Sequence, residues 1–352
     1  MIPGQWRAWL RPLGWGFGAV SVMRNRAFDR GLLGTHHVGA PVISVGNLVA
    51  GGTGKTPFVE YLIKHMSGRV PKLAMVSRGY GRRSRGVVVV SDGSGGVLGA
   101  AIGGDEPVQV ARKFPGVAVV VGEDRVAAAR VAVEDIGAGL VILDDGYQHR
   151  YLHRDCDILL LDARRNIARE PMLPAGNRRE LLCGIARADL VVFTRVESLA
   201  AGVPWEDDVQ QWVRGPRAFS QMATAEVVRA ADGQAVELSP EQPIFAFSGI
   251  ADHAGFVAAV RAAGIQVVGE RAFADHHRYT RADLESLSHA CGRSGAAALL
   301  TTEKDMMRLM DDDPGGALGG RPLYFVRIEL TILKGEGEIL ETLNRTLRRS
   351  AA

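Results

Sequence analysis

A glycine-rich segment at residues 51–56, GGTGKT, stands between a run of β-branched apolar residues and a stretch with helical character. Glycines let a backbone wrap around an anion with its N–H groups exposed, and the start of a helix adds a favourable dipole. The segment is therefore typical of a phosphate-binding loop. Its candidate binding residues are Gly51, Gly52, Thr53, Gly54, Lys55 and Thr56.

The strict phosphate-loop pattern requires a glycine where this chain has Val49, so the match is incomplete. The order of strand, glycines and helix still favours a phosphate loop over a glycine turn with an exposed lysine, and Pro57 suits a first helical turn. In such a loop the lysine contacts the β- and γ-phosphates, and the hydroxyl after it ligates Mg²⁺. We therefore expect Lys55 to bind a nucleoside triphosphate and Thr56 to hold the metal.

Two adjacent carboxylates, Asp144 and Asp145, directly follow the apolar run LVIL. Acidic residues at a strand end near a phosphate loop can order magnesium, whereas the alternative is a solvated strand end. The phosphate loop upstream favours the magnesium role. These motifs predict nucleotide binding, but they leave open whether the terminal phosphate passes to water or to another acceptor.

The composition excludes several classes of protein. The chain has 352 residues, of which 47% are hydrophobic, and this suits two domains with filled cores. Its formal net charge of +3 excludes a polycation, so no nucleic-acid partner is expected. Cys156, Cys183 and Cys291 lack CxxC spacing, which indicates neither a disulfide framework nor a zinc site and favours a reducing cytoplasm.

Apolar runs rich in β-branched residues alternate with helical patterns along most of the chain. The runs are PVISV, KLAMVS, GVVVVS, VAVVV, LVILDD, DILLLD, ADLVVFT, PIFAFSGI, GIQVVGERAF and AAALLTTEKD. Continuous apolar strands separated by helices predict an α/β fold with a mostly parallel sheet covered on both faces. Ligands should then bind where the strands end.

The strand pattern loosens from about Val196, through a stretch that bears proline and charges, and a domain boundary is expected there. The predicted units are an N-terminal helix over residues 1–30 and a nucleotide-binding domain over 31–215. A smaller α/β domain over 216–330 and a C-terminal helical segment over 331–352 follow. No oligomeric state is predicted.

The first thirty residues contain Trp6, Trp9 and Trp15, interleaved with arginines. Apolar residues recur there at roughly helical spacing, but arginines interrupt them before the roughly 20 residues that a spanning helix needs. Neither a spanning helix nor a cleavable signal is expected. The segment is either a helix lying in a membrane interface or a helix packed on its own protein.

Further short motifs accompany the glycine loop, in this order between Val45 and Asp305: VGNLVAGGTGKTP, SRGYGR, GGDEP, LDDGYQHR, LPAGNRRE, ADHHRYT and TTEKD. Together they resemble the tetraacyldisaccharide 4'-kinases of lipid A assembly, whose loop commonly lacks the first glycine. The resemblance implies two α/β/α domains around a cleft, with ATP and Mg²⁺ as cofactors. It implies phosphorylation of the 4'-hydroxyl of tetraacyldisaccharide 1-phosphate, giving lipid IVA at the cytoplasmic face of the inner membrane. A membrane-bound acceptor also favours the interfacial interpretation of the N-terminal helix.

The resemblance implies that Asp105, His276 and Lys55 are catalytic. Asp105 would take the proton from the sugar hydroxyl, and His276 would share the charge. From the residues alone Asp105 could be a helix N-cap, and His277 is the alternative to His276. Because these groups lie on different predicted domains, closure of the cleft would complete the site.

The same resemblance assigns further ligands. Asp144, Asp145 and Glu180 would join Thr56 around the magnesium, although this chain has Leu181 where common family members have proline. The substrate-binding candidates are Arg78, Glu106, Arg125, Gln148 and His149. The two arginines suit the acceptor's 1-phosphate, since guanidinium pairs bidentately with phosphate, and solvated surface arginines are the alternative.

An ATP-driven switch of the MinD/ParA kind is the main rival, since it shares the glycine loop and a membrane-binding helix. Such proteins usually carry a lysine where this chain has Ala50, and they lack an Asp–His pair. The TTEKD segment is interpreted as a capping box of Thr302 with Asp305, and no chemistry is assigned to it.

Overall fold

The computed structural model describes residues 9–239, 241–310 and 317–350, apart from the side chains at 224, 225 and 350. Trp6 and Arg7 of the predicted N-terminal segment lie outside the described residues. Within those residues the chain is an α/β structure dominated by one large, mostly parallel sheet. The predicted fold class is confirmed.

Thirteen strands of the described residues form one hydrogen-bonded sheet, and each apolar run predicted as a strand is among them. They are β1 Val42–Asn47, β2 Leu73–Ser77, β3 Val88–Asp92, β4 Ala118–Val121, β5 Leu140–Asp144, β6 Cys156–Asp162, β7 Leu190–Thr194, β8 Arg217–Arg229, β9 Ala235–Val236, β10 Ile244–Ser248, β11 Val267–Ala272, β12 Ala298–Thr302 and β13 Leu323–Lys334. Their order is β11-β10-β12-β13-β8-β7-β6-β1-β5-β2-β4-β3, and β9 pairs with β8.

The long strands β8 and β13 join two parallel halves of the sheet. They pair antiparallel with each other, while β8 runs parallel to β7 and β13 runs parallel to β12. Both mix polar and charged residues with apolar ones, which is why the apolar pattern does not predict them. The sheet is continuous across the predicted domain boundary, and the division into two domains stays a prediction.

Helices connect the strands and cover the sheet. They are α1 Arg11–Asp29, α2 Lys55–Met66, α3 Ala100–Gly103, α4 Asp105–Lys113, α5 Arg125–Arg130, α6 His253–Ala262, α7 Arg281–Arg293, α8 Glu303–Leu309 and α9 Glu336–Ser350. Helix α5 continues into a π-helical turn, Val131–Asp135. Three of these helices start at the site described below: α2 follows the glycine loop, and α4 and α8 each begin with acidic residues.

Five neighbouring parallel strands each end in a buried polar residue. These residues are Ser77 of β2, Asp144 of β5, Asn47 of β1, Asp162 of β6 and Thr194 of β7. The strand interiors before them are apolar and buried on both faces, as expected for a parallel sheet covered by helices. Because buried polar groups need hydrogen-bond partners, this carboxyl edge is the part of the sheet that is built to hold a ligand.

Helix α1 packs on the protein through small residues. A Cβ atom on Gly14 would lie 3.2 Å from the carbonyl oxygen of Met172, so glycine is needed for this close approach. The large apolar residues of this segment face outward, and Trp9 is 82% exposed and Trp15 74% exposed. Other exposed residues of this segment are Leu13, Phe17, Val20 and Met23. No helix in the described ranges is long and apolar enough to cross a membrane.

Candidate active site

The glycine-rich segment forms a tight loop between β1 and α2. Gly51 and Gly54 have φ angles of 115° and 81°, a region that residues with side chains rarely adopt. Gly54 immediately precedes α2, so the unpaired N–H groups of the first helical turn open toward the loop. The loop therefore has the conformation expected of an anion cradle.

Side chains from neighbouring strand ends hold this loop in place. Asn47 donates from Nδ2 to Oγ1 of Thr53 over 2.8 Å, and Thr194 donates from Oγ1 to the Thr53 carbonyl over 2.8 Å. Arg195 donates from Nη1 to the Gly52 carbonyl over 2.6 Å. The shape of the loop is thus set by the protein itself, and a bound phosphate would meet preorganised donors.

Lys55, the first residue of α2, faces the carboxylates at the end of β5. Its Nζ lies 3.4 Å from Oδ1 of Asp145, whose two oxygens also accept from Nη1 of Arg179 at 3.0 Å. Burial works to raise the pKa of Asp145, but Lys55 and Arg179 outweigh burial and hold the pKa below its usual value. Asp145 is therefore an ionised carboxylate beside the loop.

Asp144 is buried in a different setting. Ser77 donates from Oγ to its Oδ2 over 3.1 Å, but no hydrogen-bond partner for Oδ1 is found in the described part of the chain. Burial and the negative charge of Glu106 raise the pKa of Asp144 to about 7. A buried carboxylate oxygen without a partner, next to a repelling carboxylate, is an arrangement that a cation would relieve.

The donor set fits magnesium better than other metals. Magnesium takes oxygen ligands, usually one or two carboxylates together with waters and substrate phosphates. Within the described ranges no group of three or more His, Cys, Asp or Glu side chains is arranged to hold a metal. The orphaned oxygen of Asp144, the ionised Asp145 and the hydroxyl of Thr56 at the start of α2 supply the few protein oxygens that magnesium needs.

Replacing Asp144 with asparagine is expected to stabilise the ligand-free protein at pH 8 by up to about 4 kcal/mol. The pKa of Asp144 is raised by folding, from 3.8 to about 7, so ionisation of the native state becomes progressively costlier above pH 4 and is fully costly above pH 7. The advantage of Asp144→Asn should therefore be present at pH 8 and absent at pH 4. Denaturant unfolding at both pH values measures it, and equal destabilisation at both would contradict the origin proposed for the shift.

Asp105 and His276 meet across the two halves of the sheet. Asp105 is the first residue of α4, and His276 lies in the loop after β11 with a φ angle of 60°. Nδ1 of His276 lies 3.1 Å from Oδ2 of Asp105, and Arg308 donates from Nε to the same oxygen over 2.7 Å. Burial opposes ionisation of Asp105, but His276, Arg308 and Lys304 together hold its pKa below the usual value.

Glu106 connects this pair to the nucleotide loop. Lys304 donates from Nζ to Oε1 of Glu106 over 2.9 Å, and the same Nζ lies 3.3 Å from Nε2 of His276. Burial works to raise the pKa of Glu106, but the charges of Lys304 and Lys55 lower it. Lys304 contacts Glu106 directly and the charge of Lys55 also acts on it, so Glu106 links the glycine loop electrostatically to the Asp105–His276 pair.

His277 points into its own half of the structure. Its Nε2 lies 3.1 Å from Oδ2 of Asp283, and its ring stacks on Phe273 with a centroid distance of 4.6 Å. Asp283 and Thr280 form the predicted capping box at the start of α7. The geometry therefore favours His276 over His277 as the partner of Asp105.

The substrate-binding candidates lie around the same edge. Arg78 is exposed, whereas Arg125 is buried, and burial together with the charge of Arg78 lowers the pKa of Arg125. Gln148 donates from Nε2 to the Asn47 carbonyl over 2.8 Å. Burial and the charge of Arg125 lower the pKa of His149 to about 4, so its ring is neutral at pH 7. The two arginines place positive charge near each other, as a phosphate group requires.

Glu180 is held by protein groups. It is buried and forms an ion pair with Arg187, whose Nη1 lies 2.9 Å from Oε2, and Asn25 of α1 donates to the same oxygen over 2.9 Å. The Glu180 carboxylate thus links α1, through Asn25, to the chain segment that carries Arg187, and this is a structural role. The magnesium role expected for Glu180 stays a prediction without support from these contacts.

The structure adds residues to the site that sequence reasoning missed. Lys304 and Arg308 of α8 contact Glu106 and Asp105, although no chemistry was expected for the TTEKD segment. The predicted cap is present, since the Asp305 N–H donates to Oγ1 of Thr302 over 3.1 Å. The available signal was two basic residues spaced by four on a helix that follows a strand directly. Ser77 and Arg179 are further contacts that carried no sequence signal.

A glycine loop between a strand and a helix, acidic residues at the neighbouring strand end, and an Asp–His pair facing them define a phosphate-loop phosphotransferase. Residues 6–348 match the LpxK family, which is described as "Tetraacyldisaccharide-1-P 4'-kinase". The chain belongs to this family.

Individual relatives agree with this assignment. A tetraacyldisaccharide 4'-kinase from Anaeromyxobacter dehalogenans (strain 2CP-C) is 38% identical over 339 residues, which cover 92% of this chain and 86% of the relative. One from Geobacter sulfurreducens is 41% identical over 296 residues, covering 83% and 81%. The crystal structure of "apo" form LpxK from Aquifex aeolicus in complex with ATP superposes with a TM-score of 0.78 at 30% identity, covering 97% of this chain and 99% of that one.

Proposed function

We propose that this protein transfers the γ-phosphoryl group of ATP to the 4'-hydroxyl of tetraacyldisaccharide 1-phosphate, forming lipid IVA and ADP. The observation that carries the proposal is the meeting of the Asp105–His276 pair with the Lys55–Asp145 loop through Glu106 in a single charged cluster. A group that binds phosphate and a group that accepts a proton are thereby brought together. Family membership supplies the identity of the acceptor.

The nucleotide is held at the start of α2. The glycine loop donates N–H groups to the phosphates, and Lys55 balances the charge that develops on the β- and γ-phosphates. Thr56, Asp144 and Asp145 would hold Mg²⁺, which when bound draws electrons from the phosphate oxygens. Asp145 is kept in position by Lys55 and Arg179 before any ligand binds.

The acceptor hydroxyl is activated from the opposite side. Its oxygen forms a bond to the γ-phosphorus, the bond from that phosphorus to the ADP oxygen breaks, and the hydroxyl proton passes to Asp105. Both His276 and Arg308 contact Oδ2 of Asp105, so Oδ1 is the oxygen suited to receive the proton. Since phosphoryl transfer is loose, the base contributes about 10²- to 10⁴-fold and positioning contributes more.

The acceptor's own phosphate is expected at the basic edge of the site. Arg78 and Arg125 would bind the 1-phosphate, and the neutral His149 and Gln148 would line the same region with Glu106. Arg24 of α1 donates from Nη2 to the Gln148 carbonyl over 3.3 Å, so the N-terminal helix adjoins this edge. A lipid presented by a membrane could therefore reach the site alongside α1.

The outer face of α1 is proposed to dip into the membrane surface. Exposed Leu13, Trp15, Val20 and Met23 of the helix, together with Trp9 just before it, form an apolar surface that a soluble protein rarely shows. Tryptophan favours the headgroup level of a bilayer. The protein would then act as a peripheral enzyme at the cytoplasmic face of the bacterial inner membrane.

Changing both Trp9 and Trp15 to glutamate is expected to weaken binding to vesicles of phosphatidylethanolamine and phosphatidylglycerol by about 10-fold or more. Both side chains are already exposed, so the fold should tolerate the change. Vesicle co-sedimentation measures the effect. Leu199→Glu, a single change of the same kind at an exposed apolar site outside α1, is the control and should bind as the unchanged protein does. Equal binding by both variants would refute the membrane role of α1.

The proposed activity is tested with purified protein, ATP, magnesium and tetraacyldisaccharide 1-phosphate. The expected result is a lipid that carries one additional phosphate, together with ADP release that depends on the lipid. A switch of the MinD/ParA kind would instead hydrolyse ATP without the lipid and leave the lipid unchanged. That outcome would overturn the proposed function.

A further inference from the structure

Helix α8 places two cations on one face, directed at the Asp105–His276 pair that joins the two halves of the sheet. Lys304 and Arg308 are four residues apart, so they lie one above the other on the helix surface. The helix starts immediately after β12, and its first turn is fixed by the Thr302 cap. The two cations therefore project from a rigid support.

Arg308 is locked on the side away from Asp105. Its Nη1 donates to Oδ1 of the fully buried Asp305 over 2.8 Å and to the Gly249 carbonyl over 3.1 Å. Asp305 in turn accepts from the Gly249 N–H over 3.1 Å and from Thr302 Oγ1 over 2.7 Å. With the guanidinium held in this way, its Nε is presented to Oδ2 of Asp105 over 2.7 Å.

Lys304 approaches the far side of the His276 ring. Its ammonium group can only donate, and it lies 3.3 Å from Nε2 of His276. A carboxylate can only accept, and Oδ2 of Asp105 lies 3.1 Å from Nδ1 of the same ring. These two contacts are hydrogen bonds only if the ring is neutral, with its proton on Nδ1 and a lone pair on Nε2. Nη2 of Arg308 also lies 3.4 Å from Nδ1, a longer contact that is not a hydrogen bond in this tautomer, because a guanidinium can only donate.

We propose that Arg308 and Lys304 are positioning residues for phosphoryl transfer: Arg308 occupies Oδ2 of Asp105 so that Oδ1 faces the acceptor hydroxyl, and Lys304 selects the His276 tautomer that donates from Nδ1. This rests on the proposed kinase function and deepens it. Neither residue needs to touch a substrate, because each acts through Asp105 or His276.

The charges around the pair are consistent with this assignment. Asp105 and His276 are faced by Arg308 and Lys304 from α8, by Glu106 of α4, by Asp275 next to His276 and by Tyr80 from the loop after β2. Asp275 is the weakest contact, with Oδ1 at 4.0 Å from Nε2 of His276. Arg308 and Lys304 are the cations among these groups. Their loss should therefore raise the pKa of Asp105, which they now help to lower.

Arg308→Gln is expected to lower kcat by about 10²-fold, the usual effect of displacing a reacting group by about 1 Å, with the KM for ATP changed less than about twofold. The acid limb of the kcat/KM profile should move to higher pH, because the cation that keeps Asp105 ionised is gone. Arg308→Lys keeps the charge and should restore part of the rate and the pH profile. Combining Arg308→Gln with Asp105→Asn should cost little more than Asp105→Asn alone.

Lys304 provides a test in which the readout is not activity. The ¹⁵N chemical shifts of histidine-labelled protein distinguish the two neutral tautomers, and His276→Gln identifies the signal. The ring should carry its proton on Nδ1 in the unchanged protein and move toward the Nε2 form in Lys304→Met. A proton on Nε2 in the unchanged protein, or the same tautomer in both proteins, would overturn the proposal.

Lys113→Met is the matched control. Lys113 of α4 also carries a cation between the two halves, 2.6 Å from Oε2 of Glu60 and 3.8 Å from Oε2 of Glu303, without touching Asp105 or His276. Its loss should lower the melting temperature but leave the pH profile and the His276 tautomer unchanged. If Lys113→Met reproduced the effects of Lys304→Met and Arg308→Gln, the cations would serve stability alone. A failure of the kinase function itself is distinguishable, because the unchanged protein would then form no product.

Discussion

Replacing Lys55 with methionine is expected to lower kcat by about 10³-fold or more. The ammonium group is held in position to stabilise the negative charge that develops on the phosphates in the transition state, and removing such a group usually costs this much. Lys55 is mostly buried at the start of α2, and its Nζ is held 3.4 Å from Asp145. Methionine retains the length and apolar stem of the side chain, so the change removes mainly the charge. Steady-state rates at saturating ATP and lipid measure the effect.

The loss should exceed that of any base variant. Asp145 would keep its contact with Arg179, so the carboxylate proposed to hold the metal stays in place and the loss affects phosphate binding alone. Lys64→Met is the control, since Lys64 lies on the same helix and pairs with the exposed Glu329. It should retain nearly the full rate. A Lys55→Met enzyme within tenfold of the unchanged one would refute the assignment of the glycine loop as the phosphate site.

Much of this site could be predicted because its residues act locally. The glycine loop, the helix after it and the two aspartates after β5 are contiguous segments whose patterns reflect the backbone that they adopt. The apolar runs predicted strands correctly because a parallel strand that is buried on both faces consists of consecutive apolar residues. The positions of Asp105 and His276 followed from a family resemblance, since nothing local reveals a pair separated by 171 residues.

The remaining features depend on contacts between distant segments. Arg308 contacts Asp105, which is 203 residues away in the sequence. The nearby Thr302–Asp305 cap already accounts for the TTEKD segment, so the sequence gives no reason to assign a role to Arg308. The long strands β8 and β13 carry alternating and charged residues because they join two halves of the sheet at partly exposed positions. Glu180 is a different case: the family resemblance predicts a magnesium ligand, and the distant partners Arg187 and Asn25, which the sequence does not reveal, bind its carboxylate, so the metal role stays a prediction.

The packing of α1 shows why two sequence-based alternatives were hard to separate. A helix that packs through Gly14 and Gly18 needs no large apolar residues on its inner face. Its tryptophans and leucine can therefore point outward, where they give the strong interfacial signal that the sequence shows. The helix is packed on the protein on one side and is apolar on the other, so neither alternative excludes the other.

Asp105→Asn is expected to lower kcat by about 10²- to 10³-fold with little change in the KM for ATP, because only proton transfer is lost. Asparagine has the same shape, and its carbonyl oxygen can still accept from Arg308, so the link between the two halves should persist. Nucleotide affinity, measured by isothermal titration, should match that of the unchanged protein. A decrease in affinity equal to the decrease in rate would mean that Asp105 serves binding and would contradict its role as a base.

The pH dependence sharpens this prediction. Burial opposes ionisation of Asp105, but His276 and Arg308 lower its pKa below the usual value, so the base is already ionised well below neutral pH. Its protonation should therefore limit the rate only in acid, and the rate deficit of Asp105→Asn should be constant from pH 6 to pH 9. Asp252→Asn is the control: its carboxylate caps a helix by accepting from the Gly255 N–H, asparagine caps about as well, and both rate and stability should stay close to those of the unchanged protein. The sugar hydroxyl becomes a better nucleophile only as its proton is removed. If the rate deficit of Asp105→Asn disappeared at high pH, another group would be able to take that proton, and Asp105 would not be the required base.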